Sequence, residues 1–173
     1  MGNLYLLCGK PGCGKSTVAR ELEKNYNYIH FSADDFMLKL YGEIQDRTEF
    51  EEKLNTVKEL IYEICDKALI NNNVVLDFGF WTKKERDFVR ERFSKFDVTL
   101  IYFDLTNDEI WKQIEKRNKT LKGNEYFMDR ATFDFLCSKF EKPTSETCVV
   151  ITNKKTKIQE LNELNNLKKD YEL

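Results

Sequence analysis

The sequence predicts an α/β fold: a five-stranded parallel sheet between two layers of helices, a three-layer sandwich. Three observations predict it. Short apolar runs alternate with longer stretches whose apolar residues recur at helical spacing, the pattern of repeated strand–helix units. The first run leads directly into a glycine-rich loop, and the loop directly into a helical stretch. Aspartates follow later runs, at the strand ends where parallel sheets bind ligands.

The elements follow in order. Leu4 to Cys8 is the first strand, and Ser16 to Tyr26 the first helix, with Val18, Ala19 and Leu22 on one face. Tyr28 to Phe31 is a short second strand carrying the lone His30, read as a packed or edge histidine. A helix begins near Phe36. Leu54, Val57, Ile61, Ile64, Cys65 and Ala68 mark a long helix over Phe50 to Ile70, closed by Asn71, Asn72 and Asn73. Val74 to Phe78 is a continuous apolar strand, as expected where both faces are covered. Thr82 to Phe96 is a charged surface helix expected to turn Phe88, Val89 and Phe93 inward. Val98 to Phe103 is the fourth strand, and Asp108 to Arg117 a helix capped by Thr106 or Asn107. Ala131 to Phe140 is helical, Cys148 to Ile151 is the fifth strand, and Lys157 to Lys169 is an amphipathic final helix.

Length and composition set the bounds. The 173 residues suit one domain, 1–173, with 41% hydrophobic and 34% charged residues. A formal net charge of −2 argues against a broad nucleic-acid surface. No apolar run approaches the ~20 residues that span a bilayer, and no secretory signal pattern is read. The five cysteines are odd in number and scattered, which fits a reducing cytoplasmic setting rather than a disulfide or zinc framework.

Gly9 to Ser16 read Gly-Lys-Pro-Gly-Cys-Gly-Lys-Ser, the full G-x-x-x-x-G-K-[ST] phosphate loop. Gly9, Gly12 and Gly14 allow the tight turn. Lys10, Pro11 and Cys13 fill the free positions, and Thr17 follows in the helix. Lys15 reaches β- and γ-phosphates, and Ser16 offers its hydroxyl to Mg²⁺. The expected cofactors are therefore ATP with Mg²⁺, bound by Gly9 to Thr17.

Asp34 and Asp35 follow the second strand. A carboxylate there can take the proton of an acceptor hydroxyl. Asp34 is read as that base and as a second Mg²⁺ contact, while capping by the Ser32 to Asp35 stretch is the plainer alternative. Asp77 closes the third strand, and Gly79, Phe80 and Trp81 follow it near the site entrance. Asp34, Asp35, Asp77, Trp81 and Arg86 are the expected acceptor contacts. Arg86 and Arg90 share a helix face. Arg117 and Arg130 bracket a polar connector, a lid over about 117–131 that brings cations to the transferring phosphoryl group.

The stretches GKPGCGKST, FSADDF, VVLDFGFWTKKERDFVR, YFDLTNDEIWKQIEKRN and FEKPTSE resemble the small P-loop kinases that include polynucleotide 5′-hydroxyl kinases, chloramphenicol phosphotransferases and zeta toxins. Within that group the chain is most similar to bacterial predicted kinases carrying LDFGFW and FExPxxxE stretches. The resemblance covers nearly the whole chain and implies a P-loop NTPase, nucleoside-kinase-like fold with a helical lid. It implies Asp34 as the residue activating the acceptor hydroxyl, Arg117 as the lid arginine and Arg130 as a second one. It also implies that Glu141 to Glu146 shape the base pocket. One departure stands out: polynucleotide kinases of the group often place an arginine just after the aspartate pair, where this chain has Met37, Leu38 and Lys39. The leading expectation is an ATP-dependent kinase acting on a hydroxyl of a small molecule. A polynucleotide or nucleotide-sugar kinase comes second, and an ATP-operated switch module third.

Overall fold

A computed structural model describes residues 2–121 and 127–152. The elements run β1 (Asn3–Cys8), α1 (Lys15–Tyr26), β2 (Tyr28–Ser32), α2 (Ala33–Tyr41), α3 (Arg47–Ala68), β3 (Asn73–Gly79), α4 (Lys83–Arg92), β4 (Asp97–Phe103), α5 (Asn107–Asn118), α6 (Arg130–Ser138) and β5 (Val149–Ile151). The sheet order is β2-β3-β1-β4-β5, with every pairing parallel. The expected final helix and part of the expected lid lie outside the described residues.

β1 is buried on both faces because its side chains alternate between two cores. Leu4, Leu6 and Cys8 join Val57, Ile61, Val89 and Phe93 from α3 and the α4 region. Tyr5 and Leu7 join Val18, Ala19 and Leu22 of α1, with Ile110, Ile114 and Phe133 of α5 and α6. Each fully buried Leu of this kind contributes about 1.5–3 kcal/mol.

Local chemistry sets the helix starts. Thr82 with Glu85 and Thr106 with Glu109 are complete capping boxes. Asp46 and Asp129 cap α3 and α6 through the amides of Glu49 and Thr132. Ser32 caps α2 by accepting from the Asp35 amide at 3.2 Å. That cap starts α2 at Ala33, earlier than the expected Phe36, and puts Asp34 and Asp35 in its first turn. α1 ends at Asn27, whose φ of 57° supplies the left-handed residue.

One expectation about an inward face is corrected. Phe88 is exposed, although its ring lies 6.0 Å from Tyr62. The buried stripe of α4 runs Arg86, Val89 and on to Phe93, three to four residues apart, which turns Phe88 to the flank. Ile64 is likewise exposed, beside the buried Ile61 and Cys65. α4 also stops at Arg92 rather than Phe96, with Phe93 closing it by donating to the Val89 carbonyl.

Candidate active site

The phosphate loop leaves the C-terminal end of β1 and enters α1 at Lys15. Gly12 and Gly14 have φ of 80° and 97°, values that favour glycine. A Cβ on Gly12 would lie 2.6 Å from Ile114 Cγ1, so the loop packs directly on α5. Gly9 is equally tight, with Cys13 Sγ 2.8 Å and Phe103 Cβ 3.1 Å from a would-be Cβ. Cys13 is fully buried, the small filler its position suggested. Lys10 Nζ donates to Asn107 Oδ1 at 2.6 Å, tying the loop to the start of α5.

Gly14 gives α1 no side-chain cap. The first amides of the helix and its positive end therefore face the loop's concave side. Lys15 Nζ donates to the carbonyls of Gly9 and Lys10 at 3.0 and 2.7 Å. Uncapped helix amides, an ammonium and the Ser16 hydroxyl one residue on are the donor set that a nucleotide triphosphate with Mg²⁺ requires.

Register brings the carboxylates together. Ser32 of β2 pairs with Asp77 of β3, and Asp34 stands in the first turn of α2. Asp77 is buried, and His30 Nε2 lies 3.9 Å from its Oδ2, beyond hydrogen-bond length. Asp34 is exposed to solvent. Its pKa is nonetheless pushed up, chiefly by desolvation from the protein around it and next by the Asp77 charge, with Asp35 adding and Lys15 and Lys58 opposing. Lys15, Asp34 and Asp77 thus lie near enough for the Lys15 and Asp77 charges to act on Asp34. Lys58 of α3 bonds Glu85 at 2.8 Å, a link between α3 and α4 that the sequence did not reveal.

The turn after β3 is unusual. Gly79 has φ 82° and Phe80 φ 44°. A left-handed conformation in a bulky residue is an outlier. Phe80 is buried and stacks on Phe78 at 5.7 Å, so it is a core residue. Trp81 is half-buried, with its indole over Gly79, and its carbonyl accepts from the Glu141 amide at 2.8 Å.

Arg86 does not stand open to an acceptor. It is buried, and its guanidinium meets Glu146 at 2.6 Å (Nη2) and 3.0 Å (Nε). Its Nη1 donates to the Phe80 carbonyl at 3.0 Å. Arg90 shares the same face as expected, and also bonds Glu146, at 2.6 Å. Burial alone would raise the Glu146 pKa, but the two arginines outweigh it and hold the carboxyl below its usual range. The resemblance put Glu146 in the segment shaping the base pocket, but its pairing with Arg86 and Arg90 was missed, since nothing in its spacing ties it to a helix 56–60 positions earlier.

Asp104, at the end of β4, is held by Lys142 at 2.8 Å and the Tyr102 hydroxyl at 2.9 Å. Arg117 is half-buried on the last turn of α5. Asn118 bridges the connector, donating to the Met128 carbonyl at 2.7 Å and accepting from the Met128 amide at 3.2 Å. Arg130 pairs with Asp134 at 2.9 Å and lies 5.2 Å over the Trp111 ring.

A phosphate loop between β1 and α1 of a parallel five-stranded sheet, with carboxylates on the neighbouring strand ends, defines a P-loop kinase, a class that uses ATP with Mg²⁺. Residues 4–143 match the AAA_33 family model, an AAA domain, and the chain belongs to that family. It is 27% identical over 127 residues to "Probable UMP-CMP kinase 1" of Arabidopsis thaliana, covering 67% of this chain and 61% of that protein. It is 27% identical over 135 residues to the uridylate kinase of Saccharomyces cerevisiae, covering 68% and 63%. The chain thus spans about three fifths of the length of these curated relatives. The Chaetomium thermophilum Kti12 structure in complex with ADP-AlF3 superposes with a TM-score of 0.68 at 15% identity, covering 94% of this chain and 97% of that one. The Mycobacterium tuberculosis APS kinase CysC structure with AMPPNP and APS gives 0.64 at 16%, covering 97% and 98%. At these identities the two structures establish the fold.

Proposed function

We propose that this chain transfers the γ-phosphate of ATP to a hydroxyl of a small-molecule acceptor, with Asp34 as the base. The observation that carries this reading is the carboxylate pair. Desolvation first, and then the nearby Asp77 charge, raise the pKa of Asp34. An acceptor phosphate would meet two like charges there, an arrangement that disfavours it. A hydroxyl brings no charge and has a proton to give. The raised pKa also makes Asp34 a stronger base than an ordinary aspartate once it is ionised.

In this mechanism Lys15 leaves the Gly9 and Lys10 carbonyls for the phosphates. Asp34 orients the acceptor hydroxyl and takes its proton as the bond to phosphorus forms. Bound Mg²⁺ would neutralise charge on the phosphate oxygens, with Ser16 as its protein contact and Asp34 beside it. Arg117 and Arg130 supply cations from the lid side.

A second reading, transfer to a nucleotide phosphate, is favoured by the relatives named UMP-CMP and uridylate kinase. ADP release from Mg·ATP separates the two. Acceptor pools would contain nucleosides, sugars, antibiotics, nucleotide sugars and 5′-hydroxyl oligonucleotides in one arm, and UMP, CMP and AMP in the other. The hydroxyl reading requires stimulation in the first arm that disappears in Asp34→Asn. Stimulation confined to the monophosphates overturns it.

A further inference from the structure

The phosphate loop is braced from outside. The Gly9 amide donates to the Gly79 carbonyl at 3.0 Å, so the first loop residue depends on the orientation of the Gly79–Phe80 peptide. That same orientation holds Phe80 at φ 44°. Rotating this peptide plane would change ψ of Gly79 and φ of Phe80 together. It would return Phe80 to an ordinary negative φ and swing the Gly79 carbonyl off the Gly9 amide. Local strain therefore favours release of the brace.

Three contacts fix the residue on the far side of that peptide. The Phe80 ring is buried against Phe78. Its carbonyl accepts from Cys8 Sγ at 3.4 Å and from Arg86 Nη1 at 3.0 Å. Arg86 is the strongest of the donors because it is charged and fixed. It is fixed by Glu146, which takes Nε and Nη2, and Arg90 fixes Glu146 in turn. Arg86 and Glu146 are 1% and 5% exposed at their side chains. A buried ion pair is a poor source of stability and a good way to specify geometry.

We propose that the buried Arg86–Glu146 pair is a positioning latch for nucleotide binding: by holding the Phe80 carbonyl, which belongs to the Phe80–Trp81 peptide, it fixes the turn that carries the Gly79 carbonyl to Gly9 and the phosphate loop. Glu146 thus acts on the triphosphate site without touching it, from the segment leading into β5. The inference rests on the P-loop and not on which acceptor is used.

The test replaces the pair by apolar side chains of similar reach, Arg86→Met with Glu146→Met, which removes the latch and leaves no fully buried charge alone, since Arg90, which also loses Glu146, is 26% exposed and keeps the Thr147 carbonyl. Three quantities are read: Tm, Mg·AMPPNP affinity by calorimetry, and hydrogen exchange of the Gly9 amide against that of Leu6 in the preceding strand β1. The latch requires weaker Mg·AMPPNP binding, by about threefold to thirtyfold, and selectively faster Gly9 exchange, at a Tm close to wild type. Wild-type affinity and Gly9 protection in the folded double variant overturn it. Arg86→Lys keeps the charge but loses the planar fork that serves Glu146 and Phe80 at once. It should weaken nucleotide binding in the same way, and a lowered Tm with unchanged affinity overturns the latch. If the double variant does not fold, Glu146→Gln decides by the same two readouts.

Discussion

Lys15 Nζ donates to the main-chain carbonyl of Lys10 at 2.7 Å, so the phosphate-loop ammonium is held by its own loop. Its second acceptor, the Gly9 carbonyl, is equally local. Binding a triphosphate means exchanging these neutral partners for charged ones, which make stronger hydrogen bonds. Lys15→Met should therefore cost only about 1 kcal/mol of stability, yet weaken Mg·ATP binding by about tenfold or more. Calorimetry with Mg·AMPPNP beside a thermal melt checks both. Unchanged nucleotide affinity would show that the ammonium stays on the loop.

Asp34 predicts a pH signature. Desolvation, then the Asp77 charge, raise its pKa. The acid limb of kcat/KM should therefore lie above the ordinary aspartate value of about 3.9. Asp77→Asn removes the like charge and should move that limb down. The stability consequence has a definite sign. A group whose folded pKa is raised stabilises the fold below its unfolded value and loses that contribution as pH climbs through the folded value. Asp34→Asn should thus melt higher than wild type at neutral pH and equal it near about pH 3. A lower neutral-pH Tm would contradict the raised pKa of Asp34.

Gly12 is a packing constraint as well as a turn. Its φ of 80° and the 2.6 Å approach of a would-be Cβ to Ile114 act together. Gly12→Ala should destabilise by about 1–2 kcal/mol from the left-handed backbone alone, with the contact adding to it. The second substitution Ile114→Ala should relieve the contact and leave the backbone term. A double-mutant cycle on urea midpoints measures this, and strict additivity would mean that the contact carries no energy.

Arg130 and Asn118 separate holding from acting. Arg130 is exposed and pairs with Asp134 within one helix turn. Arg130→Ala should leave the Tm nearly unchanged but lower phosphoryl transfer by about a hundredfold. Asn118→Ala removes both bonds to Met128. It should speed exchange of the Met128 amide and raise the KM for ATP while sparing kcat. An equal loss in both constants would instead assign Asn118 to the transition state.

Much of the fold was legible because each signal was local. The phosphate loop, the buried face of α1 at Val18, Ala19 and Leu22, and the Thr106 cap each depend on residues within a few positions. The aspartates at strand ends were legible for the same reason, once parallel order was assumed. What escaped was long-range. Arg86 reads as one more charge on a polar helix until Glu146, 60 residues on, closes over it. Lys58 with Glu85, and Lys142 with Asp104, are hidden in the same way. Phe88 was misplaced because Arg86, a charged residue, occupies the core stripe that an apolar count assigns to its neighbour.

The central place of β1 has a consequence for how the molecule comes apart. β3 flanks it on one side and β4 on the other, while β2 and β5 form the margins. Opening motions begin where backbone bonds are fewest, at the three-residue β5 and at β2. The strand that carries the phosphate loop is thus among the last to lose its amide protection. The triphosphate cradle and the global fold should melt as one cooperative unit, whereas the acceptor-side Asp34, carried just beyond the marginal β2, belongs to a layer that can breathe on its own.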